Sequence, residues 1–179
     1  MHSIFILELS QTYVRIFTSI GRLPQLMKYY HKCQKDILLK KWRNQLEIEQ
    51  DESAIQWIHN YYNILLSNWH TQYRWFNQVF ANESAPYVLI DIYTDVLTSL
   101  DPSLNECIDA ALKQVSEKLP FLYDVKQTTK QFCDSLVNVI EQTIQGKLLF
   151  SKSLLMPYVL LFSHYIDKTT LEISITKQK

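Results

Sequence analysis

From Ile55 onward, apolar residues recur at Ile55, Ile58, Tyr62, Leu65, Trp69, Phe76 and Val79. Alternating steps of three and four residues mark one face of an α-helix, broken here only at Gln72. A second row, Trp57, Tyr61, Ile64 and Trp75, widens that face, so this helix must pack against more than one neighbour. At 1.5 Å per residue, a helix from Ser53 to Phe80 is roughly 40 Å long. Leu104, Ile108, Ala111 and Val115 form another stripe, and Leu122, Val125, Phe132, Leu136 and Val139 a third. Strand-like alternation is confined to Leu171-Glu172-Ile173-Ser174-Ile175.

The breaks fall between the stripes. Gly21 and Pro24 bracket one junction, Pro86, Pro102 and Pro120 mark three more, and Gly146 a fifth. Proline suits the first turn of a helix and glycine the position past its end. Asp101-Pro102 reads as the clearest start, with Asp101 as cap and Pro102 supplying a helical φ. Pro157 falls inside an apolar run and predicts a kink. The pattern predicts six or seven helices near 3–20, 24–47, 52–81, 85–100, 102–118, 120–145 and 147–166. Short loops favour antiparallel neighbours, so the fold class is all-α, an antiparallel bundle or a segment of a helical rod. Neither a fixed-period repeat nor a low-complexity linker is present. The domain reading is a short atypical N-terminal extension, 1–9, followed by one helical domain, 10–179.

Composition narrows the function. The 179 residues are 47% apolar, an ordinary globular value. Lysine plus arginine equals aspartate plus glutamate at 18 each, which removes the electrostatic case for nucleic acid. Cys33, Cys107 and Cys133 lie too far apart for a zinc site or a disulfide framework and read as reduced, packed thiols. The sequon Asn82-Glu83-Ser84 is the kind of triplet that chance supplies. Only Ile4 to Leu7 is apolar before Glu8, shorter than a signal peptide needs. The best membrane-span candidate, Leu148 to Ile166, is interrupted by Lys152 and Pro157 and reads better as a buried helix.

No constellation for catalysis or a cofactor stands out. Among His2, His31, His59, His70 and His164, no two share the spacing of a helical metal pair. No strained turn presents a nucleophile, and two glycines cannot build a phosphate loop. Asp91 and Asp95 are an isolated pair that reads as a solvated helix face. Lys28, Lys32, Lys35 and Arg43 fall in one narrow sector of the second helix, with Leu23, Tyr30, Cys33, Ile37 and part of Trp42 placed on the other side. Such a basic stripe is either a solvated face or a contact for anionic lipid or an acidic partner. Trp69, Tyr73, Trp75, Phe76 and Phe80 are core candidates first and interface candidates second, with Gln72 a candidate acceptor for the Trp69 indole.

Two dense segments carry a family resemblance. One is Leu23-Pro24-Gln25-Leu26-Met27-Lys28-Tyr29-Tyr30-His31-Lys32-Cys33, leading to Trp42. The other is Trp69-His70-Thr71-Gln72-Tyr73-Arg74-Trp75-Phe76-Asn77-Gln78-Val79-Phe80. With Gln11 to Ile20, Leu97 to Leu104 and Pro157-Tyr158, they make most of the chain similar to the family of conserved oligomeric Golgi complex subunit 7. The resemblance implies a non-catalytic, cofactor-free helical rod segment of an eight-subunit complex. It implies a peripheral place on the cytosolic face of the Golgi membrane, beside subunits 5, 6 and 8, working with SNAREs, small GTPases and coat proteins. It further implies retrograde intra-Golgi transport, Golgi organisation and recycling of glycosylation enzymes, with no small-molecule substrate.

Two departures qualify it. Members are several times longer, and Met1 to Leu7 does not resemble theirs, so the chain reads as a middle section without the amino-terminal coiled-coil region and carboxy-terminal bundles. The rival reading is a stand-alone helical adaptor, or a truncated non-functional product. An exposed groove lined by Trp57, Tyr61 and Trp75 would favour the adaptor. A membrane protein anchored by Leu148 to Ile166 is the weaker rival.

Overall fold

The computed structural model describes residues 2–48, 53–80 and 85–145. Six helices follow one another: α1 (His2–Ser19), α2 (Leu23–Ile48), α3 (Ala54–Val79), α4 (Ala85–Thr98), α5 (Leu104–Gln114) and α6 (Lys118–Gln145). No strand occurs among the described residues. The seventh expected helix, the kink at Pro157, the alternating Leu171–Ile175 stretch and the candidate span all lie outside them. Among the described residues, no helix is long and apolar enough to cross a membrane.

Local chemistry sets the helix ends. Gly21 has φ +68°, and its N–H donates to Thr18 O while Arg22 N–H donates to Phe17 O. This pair of bonds is a Schellman motif, which satisfies the last carbonyls of α1 and turns the chain into α2. Pro24, Pro86 and Pro120 each fall in the first turn of a helix, where a missing N–H costs nothing. The start of α5 corrects the sequence reading. Ser103, not Asp101, is the cap, and the first helical residue is Leu104, not Pro102. Ser103 Oγ accepts from Glu106 N–H and Glu106 Oε2 accepts from Ser103 N–H, a capping box that meets both needs at once.

α3 is the axis of the fold and packs against all five other described helices. The broad apolar face explains this. Ile58, Tyr61, Leu65, Trp69 and Phe76 have essentially no exposed surface, and Trp57, Tyr62 and Val79 are buried too. α2 runs antiparallel to α3, since Tyr30 meets Phe76 and Phe80 while Trp42 meets Trp57 and Tyr61. α6 covers another side of α3. Phe132 stacks on Tyr62 with centroids 4.2 Å apart, and the Tyr62 hydroxyl lies 3.2 Å from that of the buried Thr129. α4 supplies Leu89, Ile92, Tyr93 and Val96, and the Tyr93 hydroxyl donates to Leu65 O. Each large buried side chain contributes about 1.5–3 kcal/mol.

Candidate functional site

The two segments that stand out in the sequence converge across the α2–α3 interface. Tyr30 stacks on Trp75 at 5.5 Å and tilts onto Phe76 and Phe80, and its hydroxyl donates to Gln72 Oε1 at 3.0 Å. Trp42 is buried edge-on against Trp57 and Tyr61, with its indole N–H donating to Pro102 O. Trp69 is buried edge-on against Tyr93. Leu23 and Leu26 pack half-buried at the edge of the core and Cys33 is half-exposed. Pro24, Gln25, Tyr29, His70 and Thr71 face solvent. Tyr30, Trp42, Trp69 and Phe80 of these segments are thus packed between helices, while their other side lies open to solvent.

Three details depart from the sequence reading. Gln72 does not serve the Trp69 indole, whose Nε1 has no acceptor among the described residues; the Gln72 carbonyl accepts from Tyr30 instead. The groove of Trp57, Tyr61 and Trp75 is closed: the first two are buried, and Trp75 is half-covered by its stack on Tyr30. The adaptor reading loses its feature. The apolar face of α2 is also rotated from its expected position. Ile37 is 46% exposed, whereas Leu38 and Trp42 are fully buried, because α3 packs nearer to the lysine side of the wheel.

That rotation brings the basic stripe beside α4. Lys28, Lys32 and Lys35, together with His31 and Met27 of α2, line a groove of about 550 Å³ against Val88, Asp91 and Asp95 of α4. Asp95 is the residue that joins the two helices. Its carboxylate accepts from Lys35 Nζ at 2.8 Å and lies 3.1 Å from His31 Nε2. The hydrogen bond from Lys35 holds the Asp95 carboxyl below its ordinary value, against a smaller upward push from partial burial and with help from His31. Asp95 is thus not the unpartnered residue that its spacing suggests. Lys28 and Lys32 are exposed, and no ion pair to either is found among the described residues. Arg43 reaches Asp101 at 3.6 Å, but both are exposed, so the pair contributes little. The four stripe residues are therefore not equivalent.

Among the described residues, no three His, Cys, Asp or Glu side chains are grouped to hold a metal. Cys107 is half-buried, and burial, followed by the charge of Glu106, pushes its thiol up to about 11, which keeps it protonated. What the groove offers is the exposed ammonium groups of Lys28 and Lys32 and the exposed carboxylate of Asp91 beside an apolar wall of Met27 and Val88.

Comparison with known proteins reaches beyond this geometry. The family model described as Golgi complex component 7 matches residues 4–177. Conserved oligomeric Golgi complex subunit 7 of Mus musculus is 36% identical over 130 residues, covering 71% of this chain and 16% of the relative. The Homo sapiens protein of that name is 33% identical over 129 residues, with the same coverage. The Drosophila melanogaster protein is 33% identical over 140 residues, covering 76% of this chain and 18% of the relative. The chain thus spans about a sixth of the length of the relatives it matches. No solved structure matches it.

Proposed function

Because the chain belongs to the Golgi complex component 7 family, we propose that it acts as a helical segment of a vesicle tether, a non-catalytic subunit of the conserved oligomeric Golgi complex. The family match across residues 4–177 carries this reading. The helical architecture supports it, because a rod that positions membranes needs rigid packing more than a reactive site. In this reading the subunit sits peripherally on the cytosolic face of the Golgi, beside subunits 5, 6 and 8, and engages SNAREs and small GTPases. It supports retrograde transport within the Golgi, Golgi organisation and the recycling of glycosylation enzymes. Lys28 and Lys32 are the contact for an anionic membrane surface, supported by their exposure on the rim of the α2–α4 groove.

A chimera tests the reading. The mouse subunit, carrying this chain in place of its matching segment, is produced in cells that lack their own subunit 7. Restored surface glycosylation and co-purification with the other subunits are the expected result. A chimera that accumulates normally yet joins no complex and leaves the glycans defective overturns the reading.

A further inference from the structure

α1 docks on the bundle by one face and leaves another, strongly apolar face uncovered. Leu7 and Val14 pack against the core, and Gln11 Nε2 donates to Gln78 O of α3 at 3.0 Å. On the uncovered face, Ile6, Leu9, Tyr13, Ile16 and Ile20 are 55%, 43%, 51%, 48% and 58% exposed. Their steps of three, four, three and four residues keep them within about 80° of a helical wheel, the spacing of a two-helix seam. Five large apolar side chains in a line are not the scattered exposure that any surface shows.

We propose that this seam is a self-association surface, on which α1 of one copy pairs antiparallel with α1 of a second copy, with the two-fold axis beside Tyr13. Spacing is the first argument. Ile6 and Ile20 lie seven residues to either side of Tyr13, and Leu9 and Ile16 lie four and three residues away. An antiparallel pair therefore sets Ile6 against Ile20 and Leu9 against Ile16, the self-complementarity that an isologous interface requires. Area is the second. The exposed fractions amount to roughly 500 Å² per copy, so full coverage of the seam by a second copy would bring the pair to the lower bound of about 1,000 Å² for a specific interface. Charge is the third. Glu8 and Arg15 lie on the far side of α1 from the seam, so a second copy meets no like charge there. The same absence of basic residues beside the seam argues against a lipid surface as its occupant.

The test uses the whole chain, and its outcome does not depend on the tether reading. Sedimentation velocity over a dilution series is expected to show a reversible monomer–dimer equilibrium. Tyr13→Glu, at an exposed position, is expected to weaken it by more than about tenfold while the helical circular dichroism is unchanged. Cysteine pairing fixes the geometry without adding a charge. In a Cys33→Ser background, Tyr13→Cys is expected to cross-link to its own copy under mild oxidation. Ile6→Cys is expected to cross-link only when mixed with Ile20→Cys. Three results overturn the proposal: a chain monomeric at every concentration, an Ile6→Cys variant that cross-links to itself, or a monomer whose seam cysteines resist labelling because residues 146–179 or another part of the chain covers them.

Discussion

Trp69 has no exposed surface, and its indole N–H has no acceptor among the described residues. Those two facts pull in opposite directions. The ring fills the space between α3 and α4 beside Tyr93, so Trp69→Ala leaves a large cavity and is expected to cost about 3–5 kcal/mol. An unsatisfied buried donor already weakens the native state by about 1–3 kcal/mol, so Trp69→Phe, which removes the N–H and keeps a ring, is expected to cost well under half as much. Urea unfolding of the two variants measures both. A shift under about 1 kcal/mol for Trp69→Ala would falsify the burial. Burial itself is legible in the sequence, because Trp69 lies on the three-and-four stripe of α3. The fate of its N–H is not. Gln72 is one turn away, but its carbonyl accepts from Tyr30, 42 residues distant, and no local spacing reports that partner.

At the scale of elements, the ends of helices carry their own chemistry, and the turn between α1 and α2 shows how much. Gly21 adopts φ +68°, and a Cβ built on it meets nothing within 4 Å. Any penalty for a side chain there is therefore a backbone penalty and not a clash. Gly21→Ala is expected to destabilise by about 1–2 kcal/mol, the cost of the left-handed region for an L-residue, and Gly21→Asn by less, because asparagine tolerates that region better. Thermal or urea unfolding of the pair decides it, and equal stability of Ala and Gly at this position contradicts the turn. Six helices are legible because glycine, proline and capping residues punctuate them. The errors have physical causes. At α5 a serine with a glutamate three residues on outcompetes Asp101-Pro102 as a cap, since it satisfies two donors instead of one. In α2 the wheel sets Ile37 opposite the lysines, and only the position of α3 decides that Leu38 is buried in its place.

For the molecule as a whole, the sequence balances 18 basic against 18 acidic residues, and the α2–α4 groove sets both signs side by side. The stripe of Lys28, Lys32, Lys35 and Arg43 is legible as a pattern in one helix. What it faces is not, because Asp95 comes from α4, 60 residues beyond Lys35. Once Asp95 is in place, Lys35 is part of the α2–α4 contact, and reversing its charge would set two carboxylates together and loosen the fold. A variant that leaves Lys35 untouched is therefore the informative one. Each lysine near an anionic bilayer contributes about 1 kcal/mol, so Lys28→Gln with Lys32→Gln is expected to reduce binding to phosphatidylserine vesicles by about 30-fold at low salt. Unfolding curves are expected to stay unchanged, since both residues are exposed. Flotation with neutral vesicles supplies the reference, and raised salt should abolish the difference between the two proteins, because free ions screen exposed charges over about a Debye length. Equal recovery of variant and parent on anionic vesicles at low salt would leave the two lysines as a solvated face and move the membrane contact elsewhere on the complex.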